Sequence, residues 1–120
     1  MKTTTVLLMT LTDNAALVSH LKHNTQVLKN PALRAAFRAI DREDFVRSDY
    51  LSEAYEDYPL PIGAGQTISQ PTTVAFMLGL LGVEPGEKVL DLGSGSGWTT
   101  ALLGSIVSER GRVFGVERIA

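Results

Sequence analysis

The sequence contains no cysteine, and this absence excludes several kinds of chemistry. Without thiols there is no disulfide, no thiolate zinc site and no cysteine nucleophile. Positive charge is also scarce, since 11 Lys and Arg stand against 13 Asp and Glu and give a net charge of -2. No binding to nucleic acid or to anionic membrane is therefore expected. No apolar run is long enough to span a bilayer, and a cytoplasmic location is the default expectation.

Histidine is rare as well. The two histidines, His20 and His23, lie three positions apart on a predicted helix, and this spacing permits two ligands to share a metal ion. No third ligand is evident in the sequence. Both side chains are therefore expected to face solvent, and no metal site is predicted.

The first residues, "MKTTTVLLMTLTDN", combine Lys2 with an apolar run, as export signals do. Threonines interrupt this run, however, and no small-residue cleavage site follows it. The segment is expected to be an irregular or strand-like arm rather than a signal peptide.

Three helices are predicted in the first 82 residues. The capping residues "TDN" precede apolar residues at helical spacing as far as Leu28. Asn30 and Pro31 then end this helix and begin a second one, "PALRAAFRAI". A third helix begins at Pro71 and ends at Gly82, which suits a C-terminal cap. At 120 residues, the chain has the size of one domain or of part of a larger one.

A long connector, residues 41–62, separates the second and third helices. Its sequence, "DREDFVRSDYLSEAYEDYPLPI", is polar but rich in aromatic residues, which is unusual for a simple linker. Long loops in compact domains often serve binding. The connector is therefore expected to border a site.

After the turn "EPGE", the hydrophobic pattern changes from helix to strand. "KVLDL" is a predicted strand, "GSGSG" a turn, "WTTALLGSIVS" a helix and "RVFGV" a second strand. This order is a right-handed βαβ unit that forms a parallel sheet. We therefore divide the chain into a helical region at 1–82 and a βαβ unit at 83–120.

The glycine-rich turn has the features of a nucleotide site. Gly93, Gly95 and Gly97 allow a tight turn and close approach of a ligand to a helix N-terminus. Glu117 ends the next strand, where an acid can accept both hydroxyls of a ribose. Asp91 opens the turn with a negative charge, which repels phosphate but suits a sulfonium. The pattern favours S-adenosylmethionine over NAD; alternatively, Asp91 caps the helix and Glu117 is a solvated strand end.

A second polar stretch precedes the third helix. "GAGQTISQPTTVAFMLGLL", residues 63–81, places Gln66, Thr67, Ser69 and Gln70 at a helix start that needs only one cap. This excess of polar side chains indicates a further role.

These stretches resemble the protein-L-isoaspartate O-methyltransferase family. The resemblance is carried by "REDFV", "AYEDYPLPIGAGQTISQP", "VLDLGSGSGWTTALL" and "GRVFGVER". The glycine loop is common to methyltransferases at large, whereas "PLPIGAGQTISQP" is much more specific. The resemblance implies an α/β, Rossmann-like S-adenosylmethionine-dependent methyltransferase fold. The chain would cover its N-terminal helices and first βαβ unit, so the fold would be incomplete.

The resemblance also implies a reaction. S-adenosyl-L-methionine would give its methyl group to the carboxylate of an isoaspartyl residue in a protein or peptide, leaving S-adenosyl-L-homocysteine. The ester collapses to a succinimide and partly reopens as normal aspartate, which repairs the chain. A carboxylate is already anionic at neutral pH, so positioning and water exclusion would carry the catalysis.

The family's active-site serine matches Ser69, whose hydroxyl would orient the acceptor carboxylate or the methionine end of the cofactor. Alternatively, Ser69 or Gln70 merely caps the third helix. Trp98 is expected to pack in the core rather than against adenine. Ala64 stands where many family members have His or Cys. The residues that the resemblance assigns to the cofactor are Gln66, Thr67, Ile68, Thr72, Asp91, Gly93, Ser94, Gly95, Gly97 and Glu117.

The sequence stops just after the second strand of the expected sheet, which would leave an apolar edge. Such an edge pairs readily with another chain, so a homodimer is expected to complete the sheet. Two alternatives stay open. One is a truncated, non-catalytic module for cofactor binding or oligomerisation, and the other is a methyltransferase with a different acceptor.

Overall fold

The structure, a computed structural model, describes residues 10–119. Most of the predicted N-terminal arm therefore lies outside the described residues. Within these described residues, four helices and four strands follow one another, and two short 3-10 helices, Arg42–Phe45 and Ser48–Glu53, lie after the second helix. In chain order the elements are α1 (Asn14–His23), α2 (Pro31–Ala39), β1 (Leu60–Gly63), β2 (Gln66–Ile68), α3 (Pro71–Leu81), β3 (Lys88–Leu92), α4 (Trp98–Val107) and β4 (Arg112–Val116).

The first helix is shorter than predicted. It begins where expected, since the Asp13 carboxylate accepts a hydrogen bond from Ala16 N at 2.7 Å. It ends at His23 rather than at Leu28, and Gln26 takes a left-handed conformation with φ 57°. The predicted end was wrong because Leu28 is buried in the core from a position outside the helix. Its apolar side chain therefore reflects core packing and not a continuing helix.

The second and third helices follow the prediction. The Asn30 side chain accepts hydrogen bonds from Ala32 N and Leu33 N, and Pro31 occupies the first turn. Gly82 ends α3 in a left-handed conformation with φ 64°. Local capping chemistry therefore explains two of these four boundaries, the start of α2 and the end of α3.

A β-hairpin replaces the simple turn expected before α3. Strands β1 and β2 pair antiparallel, with Leu60 opposite Ile68 and Pro61 opposite Thr67. The prediction missed it because one strand has four residues and the other three, too few for a periodic pattern. The predicted connector thus contains both 3-10 helices and most of β1.

The βαβ unit is confirmed. Strands β3 and β4 pair in parallel from Lys88–Arg112 to Leu92–Val116, and α4 connects them. Trp98, at the start of α4, is 1% exposed and meets Phe37 edge to face, with 5.6 Å between ring centroids. Core packing of Trp98 is therefore confirmed, and it joins the βαβ unit to α2.

One surface, which we call the open face, is apolar but uncovered. The alternate residues Leu90 and Leu92 of β3 are 59% and 73% exposed, and Phe114 and Val116 of β4 are at least half exposed. Met77 of α3 lines a cavity of about 440 Å³ together with Leu90. The open face comprises Met77, Leu81, Leu90, Leu92, Phe114 and Val116. In the described chain, no helix is long and apolar enough to cross a membrane.

Candidate functional site

The two polar stretches singled out in the sequence meet at one small cavity of about 80 Å³. Its wall on one side is the end of the hairpin with Ser69, and its wall on the other is the glycine loop with Asp91. The residues that line it are Thr67, Ile68, Ser69, Asp91, Gly93, Ser94, Gly95, Ser96, Trp98 and Thr99. Seven of these belong to the residues that the sequence assigned to a site. We take this cavity as the centre of the candidate site.

The glycine loop has the backbone geometry that its sequence predicts. Gly93, Gly95 and Gly97 have φ values of 71°, 56° and 88°, a region that residues with a Cβ rarely adopt. The amides of Gly93 and Ser94 both donate to the carbonyl of Val116, at 2.7 and 3.0 Å. The loop is thus attached to the end of the neighbouring strand, and it presents bare backbone to the cavity.

Glu117 is exposed, but its carboxylate is not free. One carboxylate oxygen accepts a hydrogen bond from Gly95 N at 2.6 Å, and the other accepts from Arg118 N and Ile119 N. These backbone donors, that of Gly95 most of all, hold the pKa of Glu117 below its ordinary value, against a small opposing effect of burial. Glu117 is therefore an ionised group at neutral pH, held against the middle glycine of the loop.

Asp91 faces the same cavity from the end of β3. Its carboxylate accepts a hydrogen bond from Thr100 Oγ1 at 2.7 Å, which fixes its orientation. The cap position of α4 is Gly97, and the side chain that accepts from the first amide of the helix, Trp98 N, is the hydroxyl of Ser96 at 3.3 Å. The alternative that Asp91 caps this helix was therefore wrong, and its other carboxylate oxygen is left for the cavity.

Helix α3 is not capped by Ser69 or Gln70 either. Gln70 stands at the cap position without a side-chain cap hydrogen bond, and Asp57 supplies the cap from the connector by accepting from Thr72 N at 2.9 Å. The capping interpretation of Ser69 was wrong, and its exposed side chain lies at the cavity.

Asp57 is the centre of a hydrogen-bonded cluster. It accepts from the Thr72 hydroxyl and pairs with His20 Nε2 at 3.0 Å, while Asn24 contacts the other ring nitrogen. Burial raises the pKa of Asp57, but the hydrogen bonds from Thr72 and the contact with His20 outweigh this effect, so the pKa is lowered overall. The expectation that His20 faces solvent was wrong, because this contact spans two distant segments.

The cluster places Thr72 away from the cavity, since its hydroxyl donates to Asp57 and lies 3.2 Å from the hydroxyl of Thr25. Gln66 lines a larger neighbouring cavity, and Gly97 closes the glycine loop at the start of α4. No cluster of three or more metal-ligating side chains occurs within residues 10–119.

We expect Asp57→Ala to lower the free energy of unfolding by about 2–3 kcal/mol at neutral pH, because α3 loses its cap and His20 its partner. Asp49→Ala, an exposed carboxylate, is the matched control and should change little. Because the pKa of Asp57 is lowered by folding, its contribution should disappear as the pH falls below about 4. Urea denaturation at several pH values measures both effects; equal stability of the two variants at pH 7 would contradict the cap.

Arg42 is a residue that the sequence analysis did not assign to the site, although it binds the backbone of Ser69. It is fully buried, and its guanidinium donates to the carbonyls of Ala54, Glu56, Tyr58 and Ser69 at 2.8–3.1 Å. Burial lowers its pKa to about 10, partly offset by Asp57 and Tyr58, so it stays charged at neutral pH. The one clue in the sequence was its place in "REDFV".

The guanidinium of Arg42 also lies over the Trp98 ring, 5.2 Å from the centroid. A single side chain thus holds the carbonyl of Ser69 on one side of the cavity and the first residue of α4 on the other. The spacing between the two walls of the site depends on this buried charge.

The fold has close counterparts among solved structures. A β-aspartate methyltransferase from Plasmodium falciparum, crystallised in complex with S-adenosyl-L-homocysteine, superimposes with a TM-score of 0.79 at 26% identity, over 89% of this chain and 50% of that one. The architecture is therefore that of a Rossmann-like methyltransferase, in part.

The family follows from the sequence comparisons. The model of the protein-L-isoaspartate(D-aspartate) O-methyltransferase family matches residues 12–120, and the chain belongs to this family. A protein-L-isoaspartate O-methyltransferase from Aeropyrum pernix is 50% identical over 103 residues, 86% of this chain and 39% of the relative. One from Methanothermobacter thermautotrophicus is 46% identical over 92 residues, 77% of this chain and 42% of the relative. The chain thus spans about two fifths of the length of these relatives.

Proposed function

We propose that the protein transfers a methyl group from S-adenosyl-L-methionine to isoaspartyl carboxylates, as part of the repair of aged proteins and peptides. The observation that carries the proposal is the meeting of the Ser69 turn and the Asp91 glycine loop at one cavity. This meeting supports a transfer site with its acceptor side at Ser69 and its cofactor side at Asp91.

The cofactor would be held by complementary charge and hydrogen bonding. Asp91, at the cavity, suits the positive charge of the methionine end, and the bare backbone of the glycine loop permits close approach. Glu117 would accept the ribose hydroxyls in exchange for some of the three backbone amides that it binds here, since a carboxylate can accept from two neighbouring hydroxyls. Thr67, Ile68 and Ser94 line the same cavity, whereas Gln66, Gly97 and Thr72 would act from its surroundings.

The chemical step needs little proton transfer. A carboxylate oxygen attacks the methyl carbon, the carbon–sulfur bond breaks, and its electron pair stays on sulfur to give S-adenosyl-L-homocysteine. The chain's own residues would contribute position, with the Ser69 hydroxyl donating a hydrogen bond that orients the acceptor. The cavity of about 80 Å³ is smaller than ligand sites usually are, so neighbouring surfaces must complete it.

The test is transfer of labelled methyl to an isoaspartyl peptide, with the normal aspartyl peptide as the control. Base-labile label on the isoaspartyl peptide alone is the expected result. Label on some other acceptor would indicate a methyltransferase of different specificity. A folded protein that binds cofactor without transferring label would be a non-catalytic module.

We further propose that the 120-residue chain forms a homodimer through the open face. The observation behind this is the row of half-exposed apolar side chains on β3 and β4, which an isolated chain would leave in water. A second copy can cover this face with the same residues around a two-fold axis. Such a dimer would also place two candidate sites near the interface, because the cavity beneath Met77 shares Ser69 and Asp91 with the site.

We expect the wild-type chain to sediment as a dimer at micromolar concentration, and Leu92→Lys to sediment as a monomer. Leu92 is 73% exposed on the open face, so a lysine there puts a charge into the interface without disturbing the core. Leu51→Lys, at a 43% exposed site on a 3-10 helix, is the matched control and should stay dimeric. A wild-type monomer across the concentration range would refute the dimer.

We also propose that the chain divides into two regions and that the protein is located in the cytoplasm. Gly82 ends α3 in a left-handed conformation, which suits a boundary between a helical region at 1–82 and the βαβ unit at 83–120. Limited proteolysis would cut first near this position. A cytoplasmic location stays a prediction, which cell fractionation tests.

A further inference from the structure

A second and larger cavity adjoins the candidate site and is not explained by the cofactor. Its volume is about 560 Å³, within the range of small-ligand sites. It lies between the segment that follows Arg42, the β-hairpin and the end of β4, and it shares Gly95 and Ser96 with the small cavity. A peptide whose acceptor carboxylate reached Ser69 could therefore place a neighbouring residue here.

Among the described residues that line this cavity, Arg47 is the only basic one. Its guanidinium lies against the hairpin at Gly63, where an added Cβ would be only 2.7 Å from Arg47 Nη1. Gly63 has a φ of 100°, so the backbone conformation itself favours glycine at this position. The charged end of Arg47 thus lies directly against the hairpin backbone.

Among residues 10–119, the charge of Arg47 has no acidic partner within 4 Å. Within residues 10–119, the one ion pair is that between His20 and Asp57. Asp44 and Glu117 also line the cavity, but neither is within 4 Å of the guanidinium, and the Glu117 carboxylate is bound to three backbone amides. Arg47 therefore has its donors available to a ligand.

We propose that Arg47 forms a subsite for a second carboxylate of the acceptor peptide, placed next to the isoaspartyl residue. The inference rests on the proposed function and adds to it a preference for substrates. A guanidinium recognises a carboxylate with two parallel hydrogen bonds, which is stronger and more directional than a contact between exposed point charges. The apolar walls at Phe45, Ile62 and Ile119 suit the aliphatic part of an acidic side chain.

Two sources of this carboxylate are possible, an acidic side chain or the C-terminal carboxylate of a short peptide. The experiment therefore uses one fluorescent isoaspartyl peptide with Glu, Gln or Lys beside the isoaspartyl residue. Each peptide is made with a free and with an amidated C-terminus. Binding to the wild-type chain, Arg47→Gln and Arg47→Glu is measured by fluorescence anisotropy in the presence of S-adenosyl-L-homocysteine.

Arg110→Gln is the matched control, because it removes the same charge from an exposed turn outside the cavity. We expect the wild-type chain to prefer the Glu peptide to the Gln peptide by about three- to tenfold at low salt. Arg47→Gln should abolish this preference, Arg47→Glu should reverse it in favour of the Lys peptide, and Arg110→Gln should leave it unchanged. If the wild-type chain instead prefers the peptides with a free C-terminus, whichever residue stands beside the isoaspartyl residue, the carboxylate bound at Arg47 is that of the C-terminus.

An acid preference that persists in Arg47→Gln would overturn the subsite, as would the absence of any preference or of any binding in the wild-type chain. The aspartyl version of the Glu peptide separates this test from that of the proposed function. If the aspartyl and isoaspartyl peptides bind equally while the preference still depends on Arg47, the subsite stands and the proposed substrate is wrong.

Discussion

Glu117→Ala is expected to weaken the binding of S-adenosyl-L-methionine by about ten- to hundredfold, because a carboxylate that accepts both ribose hydroxyls is lost. The substitution also removes the hydrogen bond from Gly95, so the glycine loop loses its attachment to the end of β4 at this point. Calorimetric titration measures the affinity directly.

Two further variants test whether a loss of affinity is due to the carboxylate of Glu117. Glu117→Gln keeps the shape of the side chain but not its charge, and it should bind with intermediate affinity. Glu109→Ala removes an exposed carboxylate from the turn at the opposite end of β4, and it should bind as the wild-type chain does. Equal affinity of Glu117→Ala and the wild-type chain would show that the ribose does not bind at this residue.

The ionisation of Glu117 adds a dependence on pH. Its pKa is below the ordinary value in the folded protein, so the carboxylate is charged throughout the neutral range. The contribution of Glu117 to binding should therefore be constant above about pH 5 and fall only at lower pH, as the group takes up a proton. A decline near pH 6–7 would have to come from another group.

Arg42→Met is expected to lower the free energy of unfolding by about 3–5 kcal/mol, which is a large part of the stability of a domain of this size. Methionine fills much of the volume, but it leaves the carbonyls of Ala54, Glu56, Tyr58 and Ser69 without the donor that the guanidinium supplies, and the hydrogen bond to Ala54 is fully buried. The contact with the Trp98 ring is lost as well.

Urea denaturation measures this loss, and Arg38→Met is the matched control, since Arg38 is exposed at the end of α2. Arg42→Lys keeps the charge but cannot reach four carbonyls with one planar group. Its free energy of unfolding should therefore lie between those of Arg42→Met and the wild-type chain. A loss below about 1 kcal/mol in Arg42→Met would mean that the connector is held by other contacts.

The parts of the fold that were predictable are those that local chemistry decides. The cap at Asn30, the left-handed glycine at Gly82 and the strand–loop–helix–strand order of the βαβ unit all depend on neighbouring residues. The end of α1 was not predictable, because Leu28 packs in the core from outside the helix.

The candidate site was also predictable only in the parts that local sequence decides. The glycine loop and the Ser69 turn carry local signals, and the structure brings them together. Arg42 and Asp57 carry no such signal, because their partners, Ser69 and His20, are 27 and 37 residues away in the chain. Only the folded arrangement shows that a buried cation and a partly buried anion support the turn.

The central claim is that the cofactor binds between the glycine loop and the Ser69 turn. The most direct measurement is a titration of the isotopically labelled chain with S-adenosyl-L-homocysteine, followed by the chemical shifts of the backbone amides. We expect the largest shifts at Gly93, Gly95 and Glu117, with a smaller group around Ser69. Shifts confined to the open face or to residues 45–47, or no shifts at millimolar ligand, would contradict this binding site.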